Sequence, residues 1–86
     1  MKKYKTKLLR IRKESDDEYI TMTPYSKIIT INEIGKNILE ESKKSDTLGA
    51  LINSVSKLYN VEKSIVEKDV TEFYEKMKIC GIFEEF

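Results

Sequence analysis

Histidine is absent from this 86-residue chain, and cysteine occurs once. Without histidine the chain lacks the commonest general base and the commonest metal ligand, so a serine–histidine pair and a Cys/His zinc site are excluded. The single Cys80 cannot form an internal disulfide, which excludes a disulfide-stapled secreted fold. Three scattered glycines are too few for a phosphate-cradling loop. These absences predict a protein with no catalytic activity, no cofactor and no metal.

Long hydrophobic runs are missing as well. The basic start is similar to the charged region of a signal peptide, but Lys7, Arg10, Arg12 and Lys13 interrupt the apolar stretch that would have to follow. No run approaches the roughly 18–20 apolar residues that cross a bilayer. We therefore expect a cytoplasmic protein with no membrane partner. Hydrophobic residues at 40% and charged residues at 36% suit one domain spanning residues 1–86.

Basic residues are concentrated at the start. The net charge is +1, yet residues 14–86 hold 9 basic and all 15 acidic residues, a net charge of −6. The first 13 residues hold the other seven basic side chains: Lys2, Lys3, Lys5, Lys7, Arg10, Arg12 and Lys13. A basic end of this kind either contacts an acidic partner or nucleic acid, or is simply a solvated strand and tail.

Three alternating segments in the first third predict antiparallel strands over residues 7–13, 18–23 and 27–31. A meander with one buried face fits their short connections. The third strand is an edge, with backbone groups that lack a partner on one side. If Ile29 and Ile31 point into the core, Ile28 points outward. We expect the third helix, a dimer partner or an added peptide strand to cover this edge, unless Ile28 merely shares the core.

Apolar spacing predicts three helices in the remainder. Asn32 caps the first, Asp46 or Thr47 caps the second, and the third begins near Glu62, a poor cap. Gly81 stands where a left-handed glycine ends a helix. The residues expected to face the core are Ile34, Ile38 and Leu39, then Leu48, Leu51, Ile52, Val55, Leu58 and Tyr59, then Val66, Val70, Phe73, Tyr74, Met77 and Cys80, and finally Ile82 and Phe83.

One apolar residue of the third helix, Ile65, lies outside the buried arc, beside Asp69, Glu72 and Lys76. An apolar spot rimmed by both charge signs either anchors one ligand side chain or is an ordinary scattered surface residue. Carboxylates elsewhere on this helix mostly have a lysine three or four residues away, which is typical of a solvated face rather than of a catalytic pair.

The joint order of these signals resembles the PqqD-like family, also called RiPP recognition elements, over residues 7–83. The motifs that carry the resemblance follow three strands: Ile31-Asn32-Glu33-Ile34-Gly35, Thr47-Leu48, Val61, Asp69-Val70, Phe73, Met77 and Gly81-Ile82. Glu62 and Tyr74 depart from the family pattern, where a better cap and a leucine are usual.

The resemblance implies an α+β, winged-helix-like fold with a three-stranded antiparallel sheet followed by three helices. The core would span residues 7–83, with a basic arm at 1–6. The leader of a ribosomally made precursor peptide would add as a strand beside the third strand and third helix. The implied binding residues are Lys27, Ile28, Ile29, Thr30, Ile31, Ile65, Val66, Asp69, Val70, Phe73 and Tyr74. Partners would be that leader peptide and a separate radical enzyme, leader peptidase, cyclase or dehydratase.

Two other functions are compatible with the same predicted strands and helices. A winged-helix DNA-binding domain needs a basic recognition surface, and the third helix carries five acidic and four basic residues between positions 62 and 80. That balance argues against nucleic acid as a partner. A protein-interaction or dimerisation domain is the other alternative.

Overall fold

A computed structural model of the chain describes residues 2–7 and 10–86. In chain order the elements are β1 (Tyr4–Thr6), β2 (Ile11–Ser15), β3 (Glu18–Met22), β4 (Ile28–Ile31), α1 (Glu33–Ser42), α2 (Leu48–Tyr59), α3 (Lys63–Ile79) and β5 (Phe83–Glu85). Strands β2, β3 and β4 form an antiparallel sheet in that order. The predicted α+β fold, with a three-stranded antiparallel sheet followed by three helices, is confirmed. Of the predicted first strand, residues 8 and 9 lie outside the described part.

One face of the three-stranded sheet packs against the helices. On β3 this face carries Tyr19 and Thr21, which are buried, and Thr23 continues it just after the strand. A buried threonine hydroxyl without a hydrogen-bond partner would destabilise the fold. The Thr23 Oγ1 has such a partner, because it accepts a hydrogen bond of 3.2 Å from the Lys27 N–H. Met22 points the other way and is 42% exposed. The buried face of β3 therefore uses tyrosine and threonine rather than its isoleucine and methionine.

A second, two-stranded sheet joins the two ends of the chain. The predicted arm at residues 1–6 is wrong, because Tyr4–Thr6 forms β1 and pairs antiparallel with β5. The reason is the Tyr4 ring, which is 3% exposed and lies with its centroid 5.0 Å from that of Phe83. Its hydroxyl donates a hydrogen bond of 2.9 Å to the Ser42 carbonyl. Tyr4 thus anchors the N-terminal strand to the core.

The helix starts follow their capping residues. The Asn32 Oδ1 accepts from the Gly35 N–H at 2.8 Å, and the Thr47 Oγ1 accepts from the Ala50 N–H at 3.1 Å. Each side chain satisfies one of the N–H groups that have no partner in the first helical turn. Thr47 rather than Asp46 is therefore the cap of α2. Glu62 makes no side-chain capping bond at the start of α3, as its poor capping propensity predicts.

The end of α3 is a Schellman turn. Gly81 has φ of +83°, its N–H donates to the Lys78 carbonyl at 3.1 Å, and the Ile82 N–H donates to the Met77 carbonyl at 2.9 Å. Ile82 and Met77 are both buried, as this turn commonly requires. The turn directs the chain into β5, which confirms the predicted role of Gly81.

The core is narrower than the apolar pattern predicts. Most predicted positions are buried or pack against the core, but Ile34, Leu58 and Tyr59 are 55%, 50% and 39% exposed. Ile34 and Leu58 lie at the borders of the apolar arcs of their helices, and Tyr59 is the last residue of α2. The surface around α1 therefore retains uncovered apolar side chains.

Candidate functional site

Strand β4 is one of the two edge strands of the three-stranded sheet. The Thr23 N–H donates to the Lys27 carbonyl at 2.7 Å, and Met22 opposes Ile28 in the next pair. Hydrogen-bonded and non-hydrogen-bonded pairs alternate along an antiparallel ladder, so the N–H and C=O groups of Ile28 and Thr30 point away from β3. Within residues 2–7 and 10–86, these groups have no backbone partner outside the sheet. The open edge can therefore accept another strand.

A cleft lies between the start of β4 and the end of α3, and we call it the β4–α3 cleft. Its volume is about 200 Å³, and its lining residues are Thr23, Tyr25, Lys27, Ile29, Ile79 and Cys80. Ile79, the last residue of α3, is 81% exposed. The cleft thus offers apolar side chains beside the open edge of β4.

A second cleft, the α1–α3 cleft, lies beyond the other end of β4. Its volume is about 230 Å³, and its lining residues are Asn32, Ile34, Gly35, Ile38, Asp69, Glu72, Phe73 and Lys76. Gly35 permits a close approach here, because a Cβ at this position would lie 2.9 Å from the Phe73 Cε1 and 3.3 Å from the Ile31 Cβ. The first turn of α1, the end of β4 and the middle of α3 therefore meet at this glycine.

Of the five candidate residues from the third strand, two have side chains that face the core. Ile31 is buried, and the half-buried Ile29 lines the β4–α3 cleft. Lys27 precedes β4 and lines the same cleft. Ile28 and Thr30 are exposed on the outer face of the sheet, where Ile28 lies beside Arg10 and Met22 in a concavity. The residue that faces α3 is therefore Ile29, and Ile28 reaches the open edge through its backbone.

The candidate residues of α3 do not share one surface. Ile65, Val66 and Asp69 line a hollow between the three helices, with Val70 at its buried floor. Phe73 is half-buried in the α1–α3 cleft.

Tyr74 belongs to the core instead. It is 1% exposed, stacks on Phe83 with ring centroids 5.1 Å apart, and donates a hydrogen bond of 2.8 Å to the Glu85 Oε2. Burial and the neighbouring carboxylate raise the pKa of the Tyr74 hydroxyl, and the same hydrogen bond lowers the pKa of Glu85. This pair connects α3 to β5, so Tyr74 supports the fold and does not line the candidate surface.

Sequence reasoning missed Tyr25 and Ile79. Ile79 lies outside the apolar arc of α3, so an apolar residue on the wrong side of an amphipathic helix was the available signal. Tyr25 had no such signal, because its position depends on the turn at Ser26, which has φ of +64°. Its ring lies against Gly81, where a Cβ would approach the Tyr25 Cε2 to 2.7 Å.

None of the helices in the described ranges has the length and apolar character that a membrane crossing requires.

The sequence matches the family described as coenzyme PQQ synthesis protein D (PqqD) over residues 8–82, and the chain belongs to this family. Members are non-catalytic accessory proteins that bind a precursor peptide and work with a radical enzyme. A Schizosaccharomyces pombe protein described as a probable ADP-ribosylation factor-binding protein is 37% identical over 67 residues, which cover 77% of this chain. Those residues cover only 12% of that longer protein. No solved structure matches the chain.

Proposed function

We propose that this protein binds the leader segment of a precursor peptide as an additional strand on β4 and presents the peptide to a separate modifying enzyme. The observation that carries the proposal is the open edge of β4, where the backbone groups of Ile28 and Thr30 point outward beside an apolar cleft. Membership of the PqqD family supports a peptide ligand and favours a radical enzyme as partner over a leader peptidase, cyclase or dehydratase.

Affinity and register come from different contacts in this arrangement. Each main-chain hydrogen bond contributes only ~0.5–1.5 kcal/mol net, whereas burial of a leucine-sized side chain contributes ~1.5–3 kcal/mol. Apolar peptide residues in the β4–α3 cleft therefore provide most of the affinity. Pairing with β4 fixes the register and direction of the peptide.

The alternation of a strand determines which peptide residues matter. Side chains on one face of the added strand would turn toward α3 and meet Ile29, Ile79 and Cys80. Those on the other face would lie outward beside Ile28 and Thr30. We therefore expect the ligand to carry apolar residues at every second position.

Nucleic acid fits the charge arrangement less well. Part of the basic N-terminal segment is paired with the acidic body, since Lys3 lies 3.6 Å from Asp46 and Lys7 lies 3.0 Å from Glu84. Helix α3 carries four acidic and four basic residues, so it has no net positive charge and does not provide the phosphate contacts of a recognition helix.

The single cysteine gives a direct test, because Cys80 lines the β4–α3 cleft. Peptides selected from a displayed random library on the purified protein serve as ligands. Bound peptide should slow alkylation of Cys80 in the folded protein. Ile79→Ser should weaken binding about tenfold, which corresponds to ~1.4 kcal/mol. Ile28→Ser is the matched control and should have a smaller effect.

Two results would count against the proposal. One is an alkylation rate that a saturating peptide leaves unchanged. The other is equal binding by Ile79→Ser and wild type when both variants melt normally.

A further inference from the structure

A hollow of about 240 Å³ opens between the three helices, next to the α1–α3 cleft. The exposed residues that line it are Ile34, Tyr59, Val61, Ile65 and Asp69. Ile65 and Ile34 are 66% and 55% exposed, so the fold does not use them for its core. The Asn37 Nδ2 donates a hydrogen bond of 2.8 Å to the Tyr59 hydroxyl, which holds one wall in place. Apolar residues from different elements converging on one hollow mark a binding surface more strongly than scattered ones do.

A single strip of α3 connects this hollow with the edge of β4. At 100° per residue, Ile65, Asp69, Lys76 and Cys80 fall within roughly 60° of one another. Ile65 lines the hollow, Asp69 lines both the hollow and the α1–α3 cleft, Lys76 lines that cleft, and Cys80 lines the β4–α3 cleft. Fifteen residues of helix separate the two ends, or ~22 Å. An extended peptide covers that distance in about seven residues.

The charges along this strip favour a basic ligand. Asp69 and Glu72 form no ion pair within residues 2–7 and 10–86, although Lys68 and Lys76 each lie four positions from Glu72 on the helix. Lys76 is the one basic residue that lines the α1–α3 cleft, and no basic residue lines the hollow, within that described part. An arginine or lysine of a bound peptide would meet uncompensated carboxylates there.

We propose that the hollow is a second anchor site for the same peptide, about seven residues from the contact with the β4–α3 cleft. It takes one large apolar side chain, and Asp69 and Glu72 select a lysine or arginine next to that residue. This inference rests on the proposed strand addition, which places the peptide alongside α3.

The test compares peptides selected from a displayed random library by wild type and by Asp69→Lys. Wild-type selections should be enriched in an apolar residue beside lysine or arginine, and Asp69→Lys should replace that preference by aspartate or glutamate. Glu67→Lys is the charge-matched control, since Glu67 is exposed on α3 but does not line the hollow. It should keep the wild-type preference.

Fluorescence anisotropy of one selected peptide then measures the apolar contact. Ile65→Ser should weaken binding about fivefold to tenfold, while Leu58→Ser, an exposed residue outside the hollow, should have no effect. Equal affinity of these two variants, with Ile79→Ser still weakened, would overturn the second anchor and leave strand addition intact. If neither Ile65→Ser nor Ile79→Ser weakens binding, or if no peptide is enriched, both the second anchor and strand addition are overturned.

Discussion

Thr30 is the position at which pairing with an added strand can be blocked without breaking the sheet. It opposes Ile20 in a pair that exchanges no hydrogen bonds, so its N–H points to the open edge. Proline at this position removes that donor and puts a ring in the path of an incoming strand. The φ of proline lies at the edge of the β region, and the preceding Ile29 already has the extended backbone that proline requires. We therefore expect Thr30→Pro to fold.

The expected loss of affinity follows from the bond that cannot form. A lost main-chain hydrogen bond removes ~0.5–1.5 kcal/mol, and the peptide carbonyl left without a partner adds a desolvation penalty of ~1–3 kcal/mol where it is buried. An overall loss of about 2 kcal/mol corresponds to roughly thirtyfold weaker binding. Thr30→Ala keeps the N–H and should bind like wild type.

Calorimetry with a library-selected peptide measures the affinity of each variant, and thermal melts measure its stability. Ile29→Pro is the opposite control, since the Ile29 N–H points toward β3 and its loss should lower the melting temperature. If Thr30→Pro and Thr30→Ala bind equally and both melt normally, the peptide does not pair with β4.

Three further predictions concern stability and chemistry. Gly81→Ala should cost about 1–2 kcal/mol, measured by urea unfolding, because alanine is strained at φ of +83° and its Cβ meets the Tyr25 ring. The hydrogen bond of 2.6 Å that Ser54 donates to the Glu41 carboxylate lowers the pKa of Glu41 in the folded protein. This bond therefore stabilises the fold above the unfolded-state pKa of ~4.3, and the stabilisation is lost as the pH falls through the lower pKa of the folded state. Ser54→Ala should remove about 1–2 kcal/mol at pH 7 and flatten the decline in stability below pH 4.3; melts that fall in parallel with wild type would contradict this. The purified protein should leave the mass of a bound peptide unchanged, and a mass shift that persists through purification to homogeneity would contradict a purely binding function.

Local signals explain which parts of the fold could be predicted. Asn32, Thr47 and Gly81 act within four residues of their own positions, and the structure uses each as its residue type predicts. The alternation of the three strands likewise requires only neighbouring residues. Such features depend on short-range chemistry, which the sequence contains directly.

Long-range contacts explain what the sequence did not reveal. The pairing of Tyr4 with Glu85 joins opposite ends of the chain, and three residues are too short for a recognisable alternating pattern. The orientation of β4 could not be predicted for a similar reason. Alternation places Ile28 and Ile29 on opposite faces of the strand, but only the packed position of α3 shows which of the two faces the cleft. The spacing of apolar residues defines the two faces of a strand or helix, but it does not determine which other elements pack against each face.

In the proposed arrangement, the residues of α3 that stabilise the fold and the exposed apolar residues that would contact the peptide lie on different sides of the helix. Val70, Tyr74 and Met77 form the buried stripe, and the last two secure the end of the helix to β5 and the Schellman turn. Ile65 and Ile79 lie well outside that stripe and remain exposed. Substitutions at these two residues therefore remove little buried surface, and their effect on folding should be small. A change in peptide affinity at either position can consequently be assigned to the binding surface, and the ligand preference of this helix can change without loss of the fold.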